Sequence, residues 1–324
     1  QMKSVLVIDK NNKYSEYDEI FLMNSGLTNW RGWLCSVGQT NLEIEKDGQI
    51  HGGNCKQKVH YGNLHTSAFT FTPTKDLTIC NQNVCKCFHD ISIYKIKDSS
   101  CIDKKPITQS TINEFVKVLP VENHYDFNIT WVLHTKCNFS CSYCPPHLHS
   151  EKVIDKDKID IGFTNFINTF SDRKIMLNFL GGEPTLYDEL PDKIKEIKKL
   201  NSDNRILITT NGSRSFKYLR ELAKYAEISF SVHLHQLSLD KLADKINNLS
   251  VFDDIQPFQV HVIYPSDSDN KLKQFLSKLT SKNYYIRVIK IRKQYEDQRK
   301  DYYNYSLKQE NLINNINKYF ENLN

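Results

Sequence analysis

Residues 137–144 read Cys137-Asn138-Phe139-Ser140-Cys141-Ser142-Tyr143-Cys144, three thiols spaced by three and then two residues. They follow directly on FNITWVLHT (127–135), a run rich in β-branched and aromatic residues that reads as a strand. Beyond them, strand-like runs alternate with amphipathic ones. The strands are KIMLNFLG (174–181), RILITT (205–210), EISFSVHLH (227–235), FQVHVIY (258–264) and YYIRVIKI (284–291). Between them lie FTNFINTF, LPDKIKEIKKL, FKYLRELAKYA, LDKLADKINNL and KLKQFLSKLT, and SLKQENLINNINKYFENL is expected to close the chain as a helix. Such alternation is the pattern of βαβ units and a parallel sheet.

The composition narrows the class. The 324 residues are 39% hydrophobic and 25% charged, enough to bury a core without disulfide staples. Gly 11 and Pro 9 exclude a collagenous or low-complexity chain. The sequence holds no apolar run long enough for a membrane span. The opening apolar run SVLVI is too short for a secretory signal, so a cytoplasmic protein is expected, with Met2 as its native start. The balance of 43 basic and 38 acidic residues, net +5, gives no indication of a nucleic-acid partner. Lys193, Lys195, Lys198 and Lys199 recur at helical spacing beside Glu196, which predicts a solvated helix face.

Six of the nine cysteines precede residue 102: Cys35, Cys55, Cys80, Cys85, Cys87 and Cys101. The triplet holds the other three. Clustered thiols in a chain of this size read as metal sites rather than a disulfide scaffold. In the N-terminal part, TNLEIEKDGQI predicts a hairpin turning at Asp47-Gly48. Cys35 precedes its first strand and Cys55 follows its second, so the two thiols should meet. FTFTPTKDLTIC and ISIYKI read as further strands, and residues 106–120 as a linking helix ended by Pro120.

Structural zinc takes four ligands, commonly in two close pairs. Three close thiols with no evident fourth fit an iron–sulfur cube with one open iron better. Over about residues 128–291 the chain resembles the radical S-adenosylmethionine (SAM) superfamily. The resemblance rests on C-x3-C-x2-C with Tyr143 in the aromatic place, on Gly181-Gly182-Glu183-Pro184 after the second strand, and on Thr210-Asn211-Gly212 after the third. It implies a partial (β/α)6 barrel, a [4Fe–4S] cluster on Cys137, Cys141 and Cys144, and reductive cleavage of SAM to a 5′-deoxyadenosyl radical that abstracts a substrate hydrogen. It also implies SAM contacts from Gly181, Gly182 and Glu183 at the methionine amine, from Tyr143 near the adenine, and from Asn211 and Ser231. A low-potential electron donor such as flavodoxin or ferredoxin is the implied partner.

In EISFSVHLH the residues alternate faces. Ser229, Ser231, His233 and His235 form a polar stripe where a barrel interior would ordinarily be apolar. His233 and His235 are therefore expected to meet substrate, with His261 and Arg287 as weaker candidates and His147 and His149 flanking the cysteine loop.

The N-terminal pattern resembles the SPASM and twitch modules: Cys35, a hairpin, Cys55, Gly62-Asn63, then Cys80, Cys85 and Cys87. That resemblance implies a second, auxiliary [4Fe–4S] cluster on Cys35, Cys55 and two of the last three, with zinc on the same thiols as the other reading and Cys101 outside the set. Here the module precedes the barrel, whereas in most relatives it follows. The expected organisation is an auxiliary-cluster domain and linker over 1–122 and the barrel with its C-terminal helix over 123–324. The expected function is a radical SAM oxidoreductase or mutase giving net oxidation or rearrangement of a small molecule, sugar, nucleotide or peptide. The alternative is a zinc-binding module that grips nucleic acid or protein without catalysis.

Overall fold

A computed structural model describes residues 4–9, 11–18, 21–22, 27–53, 55, 59–67, 69–83, 85, 88–97, 115–120, 125–144, 149–150, 153–236, 238–280, 284–291 and 305–321. The chain packs as two units, 1–132 with 157–177, and 133–156 with 178–324.

The first unit holds an antiparallel sheet in the order β2-β1-β9-β8-β3-β7. Its strands are β1 (Ser4–Asp9), β2 (Tyr14–Asp18), β3 (Leu34–Cys35), β7 (Thr78–Ile79), β8 (Lys95–Ile96) and β9 (Phe115–Pro120). A short helix, α1 (Phe88–Ile91), precedes β8. β9 corrects the expected linking helix: residues 115–120 are a strand between β1 and β8, and Val118 is fully buried there. FVKVLP has the alternation and β-branching of a strand, and its pairing partners decide the matter. Residues 106–114 of that expectation lie outside the described residues. FTFTPTKDLTIC yields only β7, since Pro73 removes a ladder donor. ISIYKI yields the end of α1 and β8 rather than one strand.

The expected hairpin is present as β4 (Asn41–Ile44) and β5 (Gln49–Gly52), continued by β6 (His60–Asn63). Gly48, at φ +84°, makes the turn and donates its N–H to the Glu45 carbonyl at 2.8 Å. β4 runs parallel to β10 (Phe127–Val132). β10 carries a run of buried residues instead of an alternation, as a strand covered on both faces does. Helix α2 (Lys156–Phe170) turns Phe163 and Phe166 onto Trp131, with ring centroids 4.7 and 5.3 Å away.

β11 (Ile175–Leu180) leads into the second unit, where the strand order continues β12 (Arg205–Thr210), β13 (Glu227–His233), β14 (Phe258–Tyr264), β15 (Tyr285–Lys290). The pairs β12–β13, β13–β14 and β14–β15 are parallel. The intervening helices are α3 (Leu190–Leu200), α4 (Phe216–Ala223), α5 (Leu239–Leu249) and α6 (Asp269–Lys278), with α7 (Leu307–Glu321) last. In α3, Leu190, Ile194 and Ile197 form the buried stripe, while none of the lysines is buried. Lys198 caps the helix end by donating to the carbonyls of Ser202 and Asn204, at 2.7 and 2.6 Å. No helix among the described residues is long and apolar enough to cross a membrane.

Candidate active site

In the second unit, the segment His134–Lys136 runs from the end of β10 into the cysteine loop. The turn after β11 lies directly against it: Gly182 N–H donates to the His134 carbonyl and Glu183 N–H to the Lys136 carbonyl, both at 2.9 Å. Only glycine permits this. A Cβ on Gly181 would lie 2.2 Å from the His134 carbonyl oxygen, and one on Gly182 would lie 2.3 Å from that of Lys136. Gly181 also sits at φ +145°.

Glu183 is buried, and its carboxylate accepts four hydrogen bonds. Oε1 takes the Thr185 N–H at 3.1 Å, the Thr185 hydroxyl, and the Thr210 hydroxyl at 2.7 Å. Oε2 takes the backbone N–H of Asn211 at 2.6 Å. Burial raises the pKa of this carboxyl, outweighing the donated bonds that act against it. Asn211 in turn donates from Nδ2 to Asn138 Oδ1 at 2.9 Å, which fastens the turn after β12 to the cysteine loop.

The loop itself packs as a small apolar cluster: Cys141, Tyr143 and Ile291 are buried, with Phe139, Cys144 and Ile263 against them. None of the three thiols of the triplet is in a disulfide. Burial raises the Cys137 thiol, and it raises that of Cys141 to about 11, so both are protonated near neutrality. Among the described residues no three His, Cys, Asp or Glu side chains already stand at metal-binding distances. Cys141 lies near enough to Cys144 and Cys137 that ionising either would push its thiol further up. Three thiols on one loop, none in a disulfide, fit an iron–sulfur cube.

β13 brings His233 onto this loop. Its Nδ1 lies 3.0 Å from the Tyr143 hydroxyl and 3.5 Å from Cys141 Sγ, and Nε2 lies 3.2 Å from the Ser231 hydroxyl. The imidazole stacks on the Tyr143 ring at 5.9 Å. Burial lowers its pKa to about 4, so it is neutral near pH 7. Ser231, His261 and Arg287 share one register across β13, β14 and β15. His261 accepts from or donates to Ser229 at 3.3 Å, and its pKa is also held at about 4, by burial and then by Arg287.

Residues 131–255 match the model of the Radical SAM superfamily. The chain carries a radical SAM domain. GTP 3′,8-cyclase of Haemophilus influenzae (strain ATCC 51907 / DSM 11121 / KW20 / Rd) is 24% identical over 197 residues, 56% of this chain and 57% of that protein. Molybdenum cofactor biosynthesis protein 1 of Dictyostelium discoideum is 26% identical over 174 residues, 48% of this chain and 27% of that one. The chain therefore spans 57% of the length of the first of these curated relatives and 27% of the second. Among solved structures, Streptococcus suis SuiB bound to S-adenosylmethionine aligns with a TM-score of 0.44 and 15% identity, over 60% of this chain and 48% of that one.

Within the radical SAM domain the structure brings together Cys141, Tyr143, Ser231 and His233, and it links Glu183 with Asn211. His235 departs from the expected stripe. β13 ends at His233, and His235 lies in the following turn, 2.6 Å from the Ser268 hydroxyl and 3.3 Å from Asp267. His149 is half-buried; His147, Cys87 and Cys101 lie outside the described residues. Thr185, Asn138 and the His134–Lys136 backbone were not singled out by sequence reasoning, and Thr210 entered it only as the first residue of the Thr210-Asn211-Gly212 motif. Thr185 directly follows the Gly181–Pro184 motif, and its hydroxyl and that of Thr210 were the available signal.

In the first unit, Cys35, Cys80 and Cys85 are buried in one core cluster with Cys55 packed against it, and none of the four is in a disulfide. Cys80 is fixed on both sides of its peptide, its N–H to the Trp33 carbonyl and its carbonyl to the Gly32 N–H, each at 2.8 Å. Cys55 N–H donates to Asp90 Oδ2 at 2.9 Å. Burial raises the thiols of Cys35 and Cys80, and that of Cys85 to about 12.

Proposed function

We propose that this chain is a radical SAM enzyme that reductively cleaves SAM and uses the resulting 5′-deoxyadenosyl radical to abstract a substrate hydrogen atom. The supporting observation is that the cysteine loop, the Gly181–Pro184 turn, the Thr210–Gly212 turn and His233 converge by hydrogen bonds on one site. When bound, a [4Fe–4S] cluster would supply one electron and an open iron for SAM. Cys137, Cys141 and Cys144 would hold it. The glycine turn would present backbone to the methionine end of SAM, with Glu183 fixing that turn from behind. Tyr143 would face the adenine, and Ser231 the ribose or carboxylate. His233, neutral and clamped by Tyr143 and Ser231, would hold the wall beside the reacting carbon. A water-poor lining would protect a carbon radical from quenching.

The row Ser231, His261 and Arg287 favours a substrate with hydrogen-bonding or anionic groups. Small molecules, sugars, nucleotides and peptides all offer these, and the names of the relatives make GTP the first nucleotide to test. The outcome would be net oxidation or rearrangement.

The four thiols of the first unit fit a second [4Fe–4S] cluster, with Cys80 and Cys85 joining Cys35 and Cys55. It would take the electron left on a substrate radical or bind substrate directly. A low-potential donor such as flavodoxin or ferredoxin would feed the first cluster, in a reducing cytoplasm that keeps the thiols free.

The test is anaerobic reconstitution with iron and sulfide, followed by incubation with SAM and dithionite. Formation of 5′-deoxyadenosine supports the reading. A colourless protein that takes up zinc, binds no iron and leaves SAM intact overturns it.

A further inference from the structure

Lys95 is among the largest fully buried side chains in the protein, with a relative exposure of 1%. A lone apolar-face lysine in a short strand needs an explanation, because burying a charge without compensation is costly. Its Nζ donates to three backbone carbonyls: Asp90, Ile91 at 3.2 Å and Ile93 at 3.2 Å. Three donors satisfied by three acceptors is the valence of an ammonium. A neutral amine would leave a lone pair facing a carbonyl oxygen. The cation also sits 4.3 Å from the centroid of the Trp30 ring.

Its position among the thiols is set by strand pairing. Lys95 is the direct cross-strand partner of Cys35 in the β3–β8 ladder. Directly opposed residues place their side chains on the same face, within about 5 Å at Cβ. Trp30, under the ammonium, belongs to the same core cluster as Cys35, Cys80 and Cys85. Against the upward push of burial, the Lys95 charge draws all three thiols down. Asp90, the other buried ionisable group here, holds Cys55 N–H; burial raises its carboxyl, and its ionised form acts on the thiols in the opposite sense.

We infer that Lys95 is the fixed countercharge of the four-thiolate site formed by Cys35, Cys55, Cys80 and Cys85, a positioning residue that stabilises the reduced form of the cluster held there. This rests on the auxiliary-cluster reading above. Four thiolates around an oxidised cube carry a net charge of about −2, and reduction adds one more negative charge. A cation locked beside Cys35 favours that added electron, and being tied to three carbonyls it cannot turn away.

The experiment uses the full chain with Cys137, Cys141 and Cys144 replaced by Ala, so that a single cluster gives the signal. The reconstituted protein is titrated with dithionite and followed by electron paramagnetic resonance. Because Lys95→Met removes the cation that favours an ionised Asp90, it is compared also in an Asp90→Asn background, where both ionisable groups are gone. Lys95→Met should make reduction harder by at least about tenfold in the equilibrium constant, ~59 mV for one electron. Lys95→Arg should stay near the parent protein, and Asp90→Asn alone should shift the other way. About four irons with the same midpoint in Lys95→Met, in either background, overturns the role of Lys95 and leaves the cluster standing. Absence of iron from the triple-Ala protein overturns the cluster, and the inference with it.

Discussion

Glu183 and Asn211, 28 residues apart, are joined by a 2.6 Å hydrogen bond from the Asn211 backbone N–H to Glu183 Oε2. The bond ties the turn after β11 to the turn after β12. With Thr185 and Thr210 on Oε1, it makes the carboxylate the node at which two strand ends are registered against the cysteine loop.

Glu183→Ala should therefore act on stability as well as on SAM. Removing the carboxylate leaves several buried donors without an acceptor, at about 1–3 kcal/mol each before relaxation. A loss on the order of 2–4 kcal/mol in denaturant unfolding is expected, together with weaker SAM binding and an unchanged iron content. Unchanged stability with weakened SAM binding would assign the carboxylate to the ligand alone.

Gly181→Ala and Gly182→Ala should each disrupt the site without touching a thiol. The added Cβ would fall within 2.3 Å of a backbone oxygen in either case, so the turn must leave the His134–Lys136 segment. A cost of roughly 1–3 kcal/mol or more is expected, with loss of SAM affinity by calorimetry. Wild-type SAM affinity in either variant would show that the turn does not face SAM.

Replacing Cys137, Cys141 and Cys144 together by Ala should abolish 5′-deoxyadenosine formation and reduce the iron content from about eight to about four. Cys35→Ala or Cys55→Ala should also leave about four irons, yet retain SAM cleavage. Chemical iron analysis and chromatography of the adenosine product separate these cases. Retained 5′-deoxyadenosine in the triple variant would remove the triplet from the reaction.

His261 gives a pH signature. Its pKa in the folded protein, about 4, lies below the ordinary histidine value, so the unfolded chain binds the proton more readily. Stability from this group is thus present above about pH 6.5 and is lost as pH falls toward 4, on the order of 1–3 kcal/mol. Folding stability measured from pH 7 to pH 4.5 should decline, and His261→Gln should flatten that decline. An equal slope in wild type and variant would show that His261 is not held neutral by the fold.

The strands of the second unit were legible because each is a short β-branched run bounded by an amphipathic helix, and periodicity is a local property. RILITT became β12 and LPDKIKEIKKL became α3 without a change of boundary. The triplet and the two turn motifs were legible for a related reason: their spacing sits within a few residues. The hairpin at Asp47-Gly48 was readable from its turn chemistry. Residues 115–120 were misread because a short β-branched segment can take either state, and pairing with β1 and β8, more than a hundred and about twenty residues away, selected the strand. His235 left the stripe because Ser268 and Asp267 capture it beyond the end of β13. Only the tertiary structure turned Glu183 into a node, put His233 against Cys141 and Tyr143, and set the charge of Lys95 opposite Cys35. Those relationships depend on which strands are neighbours and which side chains lose water, and neither is written in the order of residues along a single segment.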